Sequence, residues 1–313
     1  MKVLIAGGAG FIGSNFTRLL LTKGYKVCVI DKLTYAGRKA NLKGVLKDIK
    51  FIKGDITCSG DVEKAVKGCN VVINFAAESH VDKSIKNAGE FVETNFYGSY
   101  VLLSRALKEK IDLFLQISSD EVYGSLIKGS CKETAVLNPT SPYAATKASA
   151  DLLCLSFHKT YGLPVIITRS SNNYGSYQYP EKLIPLSVIK AIRGEKIPLY
   201  GNGSNIRDWI DVGDNCRAIE LILSKGEAGE IYNISSGVKK KNIDVVRGII
   251  KHLNKKMSLI KYVKDRPNND YRYSMNSSKV QFLGWIPLIK FDDGFKKTID
   301  WYYDNKDWWK KVV

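Results

Sequence analysis

The chain has 313 residues, 44% apolar and 25% charged, proportions that exclude a fibrous or disordered class and leave room for one large domain or two moderate ones. Its formal charge of +17 comes from 48 lysines and arginines spread along the chain with no nucleic-acid motif, so the expectation is a solvated basic surface that attracts anionic substrates, with no nucleic-acid partner. No apolar run approaches the roughly 18 residues of a membrane span, and six scattered cysteines without C-x-x-C pairing or nearby histidines predict reduced thiols, no metal and no disulfide framework.

The opening "MKVLIAGGAG" turns glycine-rich too quickly for a secretory signal, so a cytoplasmic location away from membranes is expected. "KVLIAG", "KVCVID", "IKFIKGD", "NVVINFAA", "DLFLQISS" and "LPVIITRSS" read in order as valine- and isoleucine-rich strands. Helical periodicity fills several of the intervals. In "SNFTRLLLTKG", Phe16, Leu19 and Leu20 share one face and Gly24 ends the turn. Strands alternating with helices predict an α/β fold, a Rossmann-type doubly wound parallel sheet with right-handed crossovers. After about residue 171 the texture changes to glycine, asparagine and tyrosine, as in "NNYGSYQYPEKLIP" and "YGNGSNIRDW". The expectation is a first domain over 1–171, a smaller second domain over 172–313, and a helix and strand from about 207–236 that return to the first.

"GGAGFIGS" places Gly7, Gly10 and Gly13 directly after the first strand and at the start of the first helix. Glycines there permit a tight turn and let the backbone approach a pyrophosphate, which rests on the positive end of the helix. Asp31 ends the second strand 18 residues after Gly13, near the position where an acid receives the ribose hydroxyls. Its carboxylate would repel a ribose phosphate, which favours NAD over NADP.

Two further patterns carry chemistry. In "ISSDEVYG", Ser119, Asp120 and Glu121 stand together at the end of a buried strand. In "SPYAATKAS", Ser141 caps a helix whose first residue is Pro142, and Gly162 follows its end. Tyr143 and Lys147, four apart, then share a helical face. A cation beside a phenol lowers its pKa, so this tyrosine is expected to take a proton from a sugar hydroxyl near neutral pH.

Gly7 to Gly13, Ser119 and the Tyr143/Lys147 pair together resemble the extended short-chain dehydrogenase/reductase family. "DKLTYAG", "KGDI", "FAAESHVDKSI", "SSDEVYG", "NNYGSYQYPEKLIP", "GNGSNIRDW", "KKKNIDVV" and "KDRPNNDYRY" are similar, in order, to the nucleotide-sugar 4,6-dehydratases. The resemblance implies NAD and a nucleotide-diphosphate glucose, with thymidine the favoured base. It implies oxidation at carbon 4, loss of water across carbons 5 and 6, and return of the hydride to carbon 6.

Tyr143 and Lys147 with Ser119 would serve the oxidation, Glu121 would remove the carbon 5 proton, and Asp120 would protonate the departing hydroxyl. Two carboxylates with divided acid and base roles suit this elimination. For the cofactor the resemblance adds Phe11, Ile12, Lys32, Thr34, Asp55, Ile56, Ala76, Ala77, Thr94 and Asn173. For the substrate it points to Ser79, Asn172, Lys182, Arg207, Asn242 and Arg266. A homodimer through helices near residues 95–110 and 145–160 is expected as well. The family usually has threonine at Ser119 and commonly histidine at Asn269. The alternatives are a nucleotide-sugar 4-epimerase, which has no use for Asp120 and Glu121, and a non-catalytic NAD- or RNA-binding protein, which has no use for Tyr143 and Lys147.

Overall fold

In the computed structural model, which describes residues 1–312, the six valine- and isoleucine-rich runs are β1 (Lys2–Ala6), β2 (Lys26–Asp31), β3 (Lys50–Lys53), β4 (Val71–Asn74), β5 (Leu113–Ser119) and β6 (Val165–Ser170). Six short strands follow: β7 (Asn172–Tyr174), β8 (Ile197–Tyr200), β9 (Ile206–Asp211), β10 (Ile231–Ile234), β11 (Lys239–Lys241) and β12 (Ile260–Val263). Seven of these form one parallel sheet in the order β3-β2-β1-β4-β5-β6-β10. This is the Rossmann-type sheet expected from the alternation of strands and helices.

Burial on both faces explains why these strands are continuously apolar. Along β1, Val3 and Ile5 pack with Phe16 and Leu20 of the Phe11–Thr22 helix. Leu4 and Ala6 point the other way, against Val62 and Ala65 of the Ser59–Val66 helix and Leu102 of the Gly98–Lys108 helix. Each fully buried aliphatic side chain contributes about 1.5–3 kcal/mol.

Chain order reverses between β1 and β4, which opens a crevice at the carboxyl ends of the strands. A single residue, Ser171, separates β6 from β7, so everything attached to β7 is hung over that crevice. β7 belongs to a three-stranded sheet, β11-β9-β7, and a two-stranded sheet pairs β12 with β8. Trp209, Val188, Val246, Phe295 and Tyr302 form the core of this second region. The Val212–Lys225 helix and β10 lie with the large sheet, where Ile219 and Ile222 join the core of β1 and β10 pairs with β6.

No described helix is long and apolar enough to cross a membrane. The six cysteines are free thiols.

Candidate functional site

The first glycine turn builds one end of a cavity of about 310 Å³ at the carboxyl edge of the sheet. Gly7 has φ +77°, and a Cβ there would stand 2.5 Å from the Ala76 backbone nitrogen, so no other residue fits without moving β1 or β4. The Phe11–Thr22 helix begins at Gly10 with no side-chain cap and no acid in its first turn. Its N-terminal amides are therefore free for an anion. Asp31 lies at the end of β2, where Oδ2 accepts from Ala9 N at 2.9 Å and Oδ1 from Leu33 N at 2.8 Å. Burial nevertheless raises its pKa, against the pull of those two amides.

Lys32, beside Asp31, is held by Asp55, with Nζ 2.6 Å from Asp55 Oδ2. Burial pushes the Asp55 carboxyl up, but Lys32 and the Thr57 amide and hydroxyl together pull it down, so its pKa is lowered. Buried Asn173 Oδ1 and Gln178 Oε1 have no partner and line the same cavity. An uncapped helix start, a strand-end acid and orphaned polar atoms fit a dinucleotide of the NAD type.

Of the residues expected around the cofactor, Gly7, Gly10, Phe11, Ile12, Gly13, Asp31, Lys32, Thr34, Ile56, Ala76, Ala77, Thr94, Tyr143, Lys147 and Asn173 all line this cavity. Asp55 does not, and reaches it through Lys32.

A larger cavity of about 770 Å³ adjoins it, lined by Asn172, Lys182, Arg207, Asn242 and Arg266. Ser79 lines the smaller cavity, and its carbonyl accepts from Lys182 Nζ at 2.5 Å. Glu121, Asn172, Asn173, Gln178, Glu181 and Lys182 border both spaces. Glu121 is therefore at the seam between them.

β5 delivers Ser119 beside Ser170 of β6, and a short turn of helix, Asp120–Tyr123, begins there. Ser119 Oγ donates to Asp120 Oδ1 at 3.2 Å and accepts from Glu121 N at 3.3 Å. Asp120 is buried and its Oδ2 has no partner. Burial, then the charges of Glu121 and Asp208, push its pKa well above the carboxylate range. Burial also raises Glu121, while Lys182, Arg266 and Arg207 pull it back. The neighbouring carboxyls thus differ: burial and two like charges raise Asp120, whereas three cations offset part of the rise at Glu121.

The Pro142–Tyr161 helix starts as its sequence dictates, with Ser141 Oγ accepting from Ala144 N at 3.1 Å, and ends at Gly162 with φ 70°. Tyr143 and Lys147 both line the smaller cavity. The expected lowering of the phenol pKa by lysine is not what the geometry gives. Lys147 Nζ donates to the Ile117 carbonyl at 2.5 Å, and Tyr143 is pushed upward, first by burial and then by the negative charge of Glu121. Asp151, one turn beyond Lys147, is the largest influence favouring the charged lysine against burial. The spacing Tyr143, Lys147, Asp151 was in the sequence, but only burial gives the aspartate its importance.

Also missed by sequence reasoning were Asp208 and Tyr273. Asp208 on β9 is fully buried, accepts from Ser235 Oγ at 2.7 Å, and is pushed up to about 6 by burial. Tyr273 lies under Arg207, with its ring centroid 4.3 Å from the guanidinium carbon, and donates to Asp270 Oδ2 at 2.5 Å. Both lie in segments that the family resemblance covers, but their setting depends on partners, Ser235 for Asp208 and Arg207 for Tyr273, that only the tertiary structure brings to them.

The chain belongs to the GDP-mannose 4,6 dehydratase family, whose sequence model matches residues 4–298. It is 44% identical to a dTDP-glucose 4,6-dehydratase of Streptomyces niveus over 100% of this chain and 96% of that protein. A low-salt glycan biosynthesis protein of Haloferax volcanii is 47% identical over 98% of this chain and 100% of its own. Among solved structures, a dTDP-glucose 4,6-dehydratase from Streptomyces venezuelae with NAD bound superposes with a TM-score of 0.98 at 44% identity, covering 100% of both chains. A UDP-glucose 4-epimerase of Thermus thermophilus in complex with NAD is more distant, with a TM-score of 0.92 at 28% identity over 97% of this chain and 100% of that one.

Proposed function

We propose that the protein is an NAD-dependent hydro-lyase that converts a nucleotide-glucose, dTDP-glucose foremost, to the 4-keto-6-deoxy sugar. The observation that carries this reading is the Asp120/Glu121 pair at the junction of the two cavities, one carboxyl raised by burial and like charges and the other among cations. Bound NAD would supply a hydride acceptor for carbon 4, a positive ring charge beside the phenol, and a hydride donor for carbon 6. Gly7, Gly10 and Gly13 with Asp31 would hold it.

Tyr143 takes the proton of the carbon 4 hydroxyl, and Ser119 hydrogen-bonds that oxygen. The ketone makes the carbon 5 proton acidic enough for a carboxylate, and Glu121 removes it. Asp120, whose protonated form burial favours, gives its proton to the carbon 6 hydroxyl, which leaves as water. Arg207, Arg266, Lys182, Asn172 and Asn242 hold the diphosphate at the far end, and Ser79 lies where sugar meets cofactor. Epimerisation would need neither carboxyl.

The test is turnover of a panel of nucleotide-glucoses in heavy water. Deuterium at carbon 5 of a 4-keto-6-deoxy product is expected. Carbon 6 should receive the hydrogen that began on carbon 4. A product epimeric at carbon 4 with no label at carbon 5 would mean an epimerase.

The reading extends to organisation. The division into an NAD part over 1–171 with 207–236 returning, and a substrate part over 172–313, is supported by the separate cores of the large sheet and of β7, β9 and β11. A homodimer is supported by exposed apolar residues on two helical faces, among them Val92, Tyr97, Tyr100 and Leu152. Sedimentation of Tyr100→Glu as a monomer would be the expected result. Free thiols and nucleotide-sugar chemistry support a cytoplasmic location.

A further inference from the structure

In the larger cavity two guanidinium groups converge on one neutral oxygen. Arg207 extends from β9, and Arg266 from the loop after β12. Asn269 Oδ1 accepts from Arg207 Nη2 at 3.3 Å and from Arg266 Nε at 3.1 Å. Its other end, Nδ2, donates to Asp265 Oδ1 at 2.7 Å. The chemistry fixes this orientation: the amide nitrogen can only face the carboxylate and the carbonyl can only face the cations.

The remaining partners of the two arginines differ. Arg207 is nearly buried, donates to the Ile206 carbonyl at 2.9 Å and lies over the Tyr273 ring. Arg266 has Asp82 Oδ1 3.5 Å from its Nη1, and both act on Glu121 across the seam. Two like charges gathered around one neutral acceptor repel each other. Such a cluster is relieved by an anion that spans both guanidiniums. A diphosphate does so with two phosphoryl groups, whereas a monophosphate can face only one arginine squarely.

We infer that Asn269 is a positioning residue that sets the spacing of Arg207 and Arg266, so that the cavity selects nucleoside diphosphates and their sugars over monophosphates. The residue type matters. One amide oxygen with two lone pairs serves both arginines while the nitrogen holds Asp265. A neutral imidazole, the group common in the family at this position, offers one acceptor nitrogen and can serve only one arginine. The inference rests on the reading that Arg207 and Arg266 hold the diphosphate.

The experiment compares wild type, Asn269→Leu, Asn269→His, Arg207→Ala and Arg266→Ala, titrated calorimetrically with thymidine diphosphate and thymidine monophosphate. Asn269→Leu keeps the volume and removes both acceptor and donor. It should weaken the diphosphate about tenfold and the monophosphate less than about twofold, as expected for loss of hydrogen bonds to charged groups that act through a second partner. KM for the nucleotide-sugar should rise with kcat retained, and Asn269→His should fall between. Equal weakening of both nucleotides together with a lowered Tm would mean a merely structural role and would overturn the inference. So would unchanged binding in Asn269→Leu while the arginine variants lose affinity. If the arginine variants themselves bind the diphosphate as tightly as wild type, the diphosphate reading of the cavity falls and the inference falls with it.

Discussion

The two cavities are made from different materials. The smaller is walled by backbone and short side chains at strand ends: a glycine turn after β1, the acid that ends β2, and residues flanking β4 and β5. The larger is walled by long polar side chains delivered from β9, from the start of the Asn242–His252 helix and from the 264–270 loop. In the first, selectivity comes from how close a backbone can approach. In the second it comes from how flexible cations are held. A rigid wall should fail abruptly when altered, and a cationic wall should fail by degrees.

Changes at the seam should have the largest effect, because the chemistry is divided there. Asp120→Asn keeps the shape and removes the acid, so dehydration should slow roughly 100-fold or more. Oxidation at carbon 4 should survive, and reduced nicotinamide absorbance should persist on the enzyme. Glu121→Gln should likewise bind and oxidise substrate without eliminating water. Full dehydration by Asp120→Asn would assign the acid elsewhere.

On the rigid wall, Gly7→Ala forces a positive φ on alanine and places its Cβ against Ala76 N. Bound NAD should be lost and Tm should fall by several degrees, with a cost of about 1–3 kcal/mol from the backbone strain alone. Retention of stoichiometric cofactor by this variant would contradict the account of the glycine turn.

A milder change lies where the rigid wall carries Lys32. Asp55→Ala releases Lys32 from its 2.6 Å partner, and the preference for NAD over NADP should narrow by about tenfold, the worth of one partly exposed charge pair with a phosphate. Competition between the two cofactors reads this out, and an unchanged ratio would show that Asp31 alone sets the preference.

A further effect concerns stability. Asp208 is pushed up to about 6 by burial, whereas an unfolded aspartate titrates near about 3.9. Between these values the folded chain holds the extra proton, so its stability falls as pH rises through this window and levels off above it. The full difference is about 3 kcal/mol. Asp208→Asn should remove this decline, giving a Tm advantage at neutral pH that vanishes below pH about 4. Parallel Tm curves for variant and wild type would show that burial of Asp208 is offset elsewhere.

The contrast between the cavities also decides what could be read from the chain. The strands, the glycine turn, Asp31 and the Ser141-capped helix are local: each depends on residues within a turn or a few positions along a strand, and each is where periodicity and capping chemistry place it. The Asp120/Glu121 pair was visible as an electrostatic oddity, and the family resemblance supplied its use. What the sequence did not contain was the raised pKa of Tyr143, since the strength of desolvation depends on everything packed around the phenol.

By itself, then, the sequence determined the sheet and the glycine turn and singled out the groups proposed to react, because these follow from short-range sterics and from residue chemistry. Only the tertiary structure decided that Glu121 borders both cavities, that Asp208 pushes on Asp120, and that Asn269 joins Arg207 to Arg266 across 62 residues and 3 residues of chain respectively. The reason is physical. Electrostatic influence acts through space and grows as water is excluded, and neither separation in space nor loss of water is written in the order of the residues.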